Sequence, residues 1–111
     1  MKREFTLGSR DQVIRVRTKM WLEINGQRLI GEGRAQILRR IQEAGSINAA
    51  AIQMNISYRK AWSMVKDMED VLKQPLVEKT RGGLKGGTTK LTAVAIELLE
   101  QYESIQLKFQ E

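Results

Sequence analysis

Apolar and polar positions alternate along the first part of the chain. Ile14, Val16, Thr18, Met20, Leu22 and Ile24 fall at period two, with Arg15, Arg17, Lys19 and Glu23 between them. Alternation of this kind predicts a half-buried strand over residues 13–24. Trp21 interrupts the polar face and is expected to pack against the helices that follow. Asn25-Gly26 supplies two residues that tolerate positive φ, as a type I′ hairpin turn requires, and residues 27–30 read as the return strand. Gly31-Glu32-Gly33 then breaks the hairpin.

The period next changes from two to helical. Ile37, Leu38 and Ile41 form the apolar stripe of a helix over residues 34–44, which Gly45 stops. Ser46 is placed to cap a short helix over residues 47–54 that carries the small Ala50 and Ala51. Asn55-Ile56 forms a turn, and Ser57 caps a third helix over residues 58–73. Its Ala61, Val65, Met68 and Leu72 share one face, and Pro75 ends it. Residues 76–80 and 88–91 read as two strands around the basic glycine loop 81–87, and Thr92 caps a last helix.

The expected fold is therefore mainly α with small β-hairpins, an α+β winged helix-turn-helix. It carries an N-terminal hairpin and a long C-terminal helix. Residues 1–91 form the main domain and residues 92–111 the terminal helix.

Composition narrows the function. The 111 residues contain no His and no Cys, which removes zinc fingers, thiol or Ser/His nucleophiles and disulfide frameworks. No metal or cofactor is expected. No apolar run approaches the ~18 residues of a membrane span, so the expected location is cytoplasmic. Lys and Arg total 19 against 13 Asp and Glu, but unevenly. Residues 1–90 hold 18 basic and 9 acidic side chains, whereas residues 91–111 hold one Lys and four Glu. A polyanion is the natural partner of the basic part, because neutralising phosphates releases counterions.

Two capped helices around a short turn suit a helix-turn-helix, whose second helix enters the major groove of DNA N-terminus first. The candidate DNA contacts are Ser46 and Ser57 at the caps, Tyr58, Arg59 and Lys60 in the leading turn, and Ser63 and Lys66 further along. Arg can bond guanine in bidentate fashion, while Ser and Tyr reach bases or phosphates. Arg81, Lys85 and Lys90 in and beside the glycine loop supply wing charge for phosphate or the minor groove. The bland counterparts are plain. Tyr58 and Trp62 can stack on the domain's own surface, the wing cations can protect a hairpin edge, and Met54, Met64 and Met68 can fill core.

The stretches Gly45-Ser46-Ile47-Asn48-Ala49-Ala50-Ala51 and Ile56-Ser57-Tyr58-Arg59-Lys60-Ala61-Trp62 are followed by Pro75-Leu76-Val77-Glu78, the Gly82-Gly83 and Gly86-Gly87 pairs, and Leu91-Thr92. Together they resemble the DNA-binding half of ModE-type molybdate-responsive regulators and, more distantly, the winged helix of LysR-type regulators. The resemblance spans residues 13 to about 102. It implies sequence-specific binding of double-stranded DNA, transcriptional control and a homodimer. The oxyanion sensor of that family is a separate C-terminal module, so molybdate or another oxyanion is not expected to bind within these 111 residues.

In the last helix Ala95, Leu98, Tyr102, Ile105 and Phe109 repeat at three, four, three and four, the 3.5-residue period of a coiled-coil seam. With Leu99 they form the expected dimer interface, and Ile96 and Leu107 widen the stripe. The competing reading folds this helix back onto Ile37, Leu38 and Ile41. Both apply if the first turns dock and the later ones pair.

An enzyme is disfavoured. Thr88 stands where a phosphate loop needs lysine, Gln36 stands where a dinucleotide fingerprint needs its third glycine, and no carboxylate sits in an apolar setting. The alternative to a regulator is a winged helix that binds a partner protein without specific DNA readout.

Overall fold

The computed structural model describes residues 4–8, 11–81 and 87–110. Its elements run β1 (Glu4–Thr6), β2 (Val13–Arg15), β3 (Trp21–Ile24), β4 (Gln27–Gly31), α1 (Glu32–Ala44), α2 (Ile47–Met54), α3 (Tyr58–Leu72), β5 (Val77–Thr80), β6 (Thr88–Leu91) and α4 (Ala93–Gln110). The strands form three separate antiparallel hairpins, β1 with β2, β3 with β4 and β5 with β6. Helices and small hairpins thus make the expected α+β architecture.

The single strand expected over residues 13–24 is two strands in two sheets. Phe5 pairs with Ile14 in the first hairpin, and Trp21 pairs with Gly31 in the second. Alternation specifies extended backbone but not a partner, and residues 16–20 pair with neither sheet. At the second turn Asn25 (φ 51°) and Gly26 (φ 79°) both take the left-handed conformation that a type I′ turn demands. Glu23 faces Arg28 and Leu22 faces Ile30, so Leu29 is the extra residue of a β-bulge. The bulge lets the adjacent Leu29 and Ile30 both enter the core.

α1 begins at Glu32, two residues earlier than the glycine break suggested. Gly31 is extended and ends β4, while Gly33 lies within the first turn, where the methyl of Met64 closes on its Cα. The far end of α1 is finished by Gly45 in the left-handed region, with its N–H donating to Ile41 O at 2.9 Å. α3 stops at Leu72 because Lys73 turns left-handed and donates to Glu69 O at 2.7 Å.

The core joins Ile30, Ile37, Leu38 and Ile41 to Ala50 and Ala51 of α2, Ala61, Val65 and Met68 of α3, Leu76, and Ala95, Leu99 and Tyr102 of α4. The last three correct the expected dimer seam. Ala95, Leu99 and Tyr102 lie inside this chain's own core, at most 3% exposed, and have no surface left for a second copy. Polar groups fasten the same junction. Gln106 donates to Glu32 at 2.6 Å, the Tyr102 hydroxyl reaches Glu32 and the Met20 carbonyl, each at 3.4 Å, and Arg39 pairs with both Glu32 and Glu103. Burial alone would raise the Glu32 carboxyl. The hydrogen bonds from Gln106 and Gln36, with the Arg39 guanidinium, outweigh it and hold the group below the ordinary glutamate range.

Trp21 does not pack into the helices. It stays exposed, with the Arg28 guanidinium 4.6 Å over its ring and its indole N–H donating to Glu23 at 2.9 Å. No helix of the described residues is long and apolar enough to cross a membrane.

Candidate nucleic-acid interface

The paired helices α2 and α3 are built from local chemistry. The Ser46 hydroxyl accepts the Ala49 N–H at 2.9 Å and the Ser57 hydroxyl accepts the Lys60 N–H at 3.0 Å, so each helix opens on a satisfied cap. Between them Asn55 turns left-handed, and Ile56 N donates to Ala51 O at 3.0 Å. Ala50, Ala51 and Ala61 are buried where α2 and α3 meet, and side chains this small permit a close crossing.

Burial of Ala61, Val65 and Met68 fixes what α3 exposes. Arg59, Ser63 and Lys66 point away from that face. Tyr58 and Trp62, four residues apart, line one flank and are about half exposed. Lys60, Met64 and Asp67 line the other. Among the described residues, Arg59 and Lys60 have no carboxylate within ion-pair distance, whereas Lys66 pairs with Asp70 at 3.4 Å. The leading turn therefore carries two unneutralised cations. Ser46 and Ser57 both have their hydroxyl oxygens committed to caps; Ser46 is half-buried and Ser57 exposed.

The wing is rooted beside this unit. Thr89 N donates to Gly45 O at 2.7 Å, one residue before the α2 cap. Thr80 and Thr88 close the open end of the ladder, with their hydroxyls 2.7 Å apart. A Cβ on Gly87 would run into the Thr80 carbonyl, so the chain needs glycine there to enter β6. At the other end Thr92 N donates to Leu76 O at 3.0 Å, and the Thr92 hydroxyl accepts the Ala95 N–H at 3.3 Å to cap α4. Arg81 and Lys90 are exposed, with Lys90 across the ladder from Glu78. Lys85 lies outside the described residues.

Sequence reasoning missed Arg28 and Arg34, which the β3–β4 hairpin and α1 bring beside Lys60 and Ser63. The alternation of Gln27-Arg28-Leu29-Ile30 hinted that Arg28 faces out, but nothing local says that this hairpin lies against α3.

Capped helices around a tight turn, with a two-stranded wing tied to their start, define a winged helix-turn-helix domain. Residues 33–95 match the model of the bacterial regulatory helix-turn-helix proteins of the lysR family. The chain belongs to that family. It is 40% identical over 73 residues to the transcriptional regulator ModE of Haemophilus influenzae, covering 66% of this chain and 29% of that protein. It is 30% identical over 92 residues to the molybdenum transport protein ModE of Azotobacter vinelandii, covering 83% of this chain and 34% of that one. The chain thus spans about a third of the length of these curated relatives. Among solved structures, the DNA-binding domain of CbnR in complex with DNA superposes with a TM-score of 0.54 at 24% identity, over 67% of this chain and 79% of that one, a likeness of fold.

Proposed function

We propose that this chain is the DNA-binding part of a transcriptional regulator and reads duplex DNA as a homodimer. The observation that carries the reading is the leading turn of α3. Arg59 and Lys60 stand exposed and unneutralised, on a helix whose opposite face is locked into the core. α3 enters the major groove, where Arg59 contacts a base edge and Tyr58, Ser63 and Lys66 contact bases or backbone. Arg81 and Lys90 at the wing root, with Lys85, meet phosphates or the minor groove. The relative from Haemophilus influenzae is named as a transcriptional regulator, and the CbnR structure is of a complex with DNA, which supports the same role here.

Pairing falls to the later turns of α4. Leu98 and Ile105 are half-buried, and Ile96, Leu107 and Phe109 are exposed, so they retain apolar surface for a second copy. Two copies double the contacts of one short recognition helix and match a two-fold symmetric site.

A salt titration of duplex affinity tests the reading. Log K should fall by ~0.9 for each phosphate neutralised per tenfold rise in salt. A chain that docks on proteins through apolar surface would be almost indifferent to salt, and that result would favour the interaction-module alternative.

A further inference from the structure

A pocket of about 300 Å³ lies between the β4–α1 junction and the Lys60 flank of α3, lined by Arg28, Arg34, Lys60, Ser63 and Asp67 together with Gly31, Gly33 and Met64. Its cations differ in how they are held. Arg34 is fully engaged, with one guanidinium nitrogen donating to the Arg28 and Leu29 carbonyls at 3.1 and 2.9 Å and the other facing Asp67 at 3.7 Å. The one carboxylate in the wall is thereby answered, and the β4 backbone is fixed beside α3. Arg28 and Lys60 have no such partner among the described residues. Arg28 is nevertheless ordered, because its guanidinium stacks over Trp21 at 4.6 Å. Gly31 keeps that arrangement open, since a Cβ there would sit 3.1 Å from an Arg28 nitrogen.

Two unpaired cations and the Ser63 hydroxyl, around a space that fits a tetrahedral oxyanion and its water, make a phosphate site. Its position selects the source of the phosphate. A helix in the major groove is bordered on both flanks by the sugar-phosphate backbones, ~12 Å apart. Lys60 and Asp67 form one such flank, and the hairpin extends it. Building on the proposed function, we propose that this pocket clamps one backbone phosphodiester of the bound duplex between Arg28 and Lys60. The β3–β4 hairpin, which lies before the family-matched residues 33–95, thereby becomes part of the DNA interface.

The test uses the whole chain and a duplex it binds, with single phosphates replaced in turn by uncharged methylphosphonates. Arg28→Ala should weaken target and scrambled duplexes alike, roughly tenfold at low salt for one charge-assisted contact. It should also lower the salt slope by ~0.9. One methylphosphonate position per half-site should weaken the wild-type chain and have no effect on Arg28→Ala. The neutral linkage alters only the DNA, so that arm is independent of protein folding.

Three results would overturn the clamp. Arg28→Ala may match wild type in affinity and slope while the wild type binds steeply, in which case the regulator reading stands and the pocket fails. No neutral linkage may couple to Arg28. Or inorganic phosphate alone may saturate the pocket while DNA affinity ignores Arg28, making it a site for a free anion. A wild-type chain without salt-dependent duplex binding would remove the function and the clamp together.

Discussion

Ser57 shows how much rests on one hydroxyl. It satisfies the Lys60 N–H and sets the residue from which Tyr58, Arg59 and Lys60 project. Ser57→Ala should lower unfolding stability by ~1 kcal/mol. Chemical denaturation measures this, and an unchanged midpoint would mean that the cap does not hold the turn. Gly87 is as specific for sterics. Because a Cβ there meets the Thr80 carbonyl, Gly87→Val should disorder the wing and weaken binding to all duplexes alike, leaving the preference among them intact. Both residues were legible in the sequence, Ser57 as a cap and Gly87 as part of a glycine loop, since caps and turns are decided by near neighbours. Arg28 was not. Its partners are Trp21 across a hairpin and Lys60 on a helix more than thirty residues on, and no local pattern announces that meeting.

At the level of elements, the helices and their caps were readable because helical period and cap chemistry both lie within one segment. What paired with what was not. Alternation over residues 13–24 could not reveal that β2 takes β1 as partner and β3 takes β4. The 3.5-residue stripe of α4 could not say whose core it served. Ala95, Leu99 and Tyr102 serve the chain's own, and Glu32 is the polar latch between α1 and that helix. Since the folded chain holds the Glu32 carboxyl below its ordinary value, the latch contributes fully above the ordinary glutamate range and is lost as pH falls through the folded-state value. Wild type should therefore lose more thermal stability than Glu32→Gln on acidification from pH 6 to about 3.5. Parallel melting curves for the two proteins would show that the latch has no role.

The whole molecule is elongated, 64 Å along its longest axis, with a radius of gyration of 17.5 Å where ~13 Å is usual for about 100 residues. Charge is divided along the chain. The first 90 residues are basic, and the α4 segment is acidic and carries exposed Leu107 and Phe109. Such a division suits a body that meets polyanion at one surface and a second copy at another. Ile105→Glu should convert dimers to monomers in sedimentation while leaving the fold intact, because Ile105 lies outside the buried core. A dimer that survives the change places the contact elsewhere. The exposed Phe5, Leu7, Val13 and Val16 around the first hairpin are then the surface to vary next.

The central claim is that the α3 tip reads bases. It is tested most directly by selecting binding sites from random duplexes with wild type and Arg59→Ala in parallel. Wild type should enrich a two-fold symmetric motif, and Arg59→Ala should lose discrimination at one base pair of each half-site, at a cost of ~1–3 kcal/mol on the wild-type motif. Recovery of the same motif with the same preference at every position by both proteins would contradict the account.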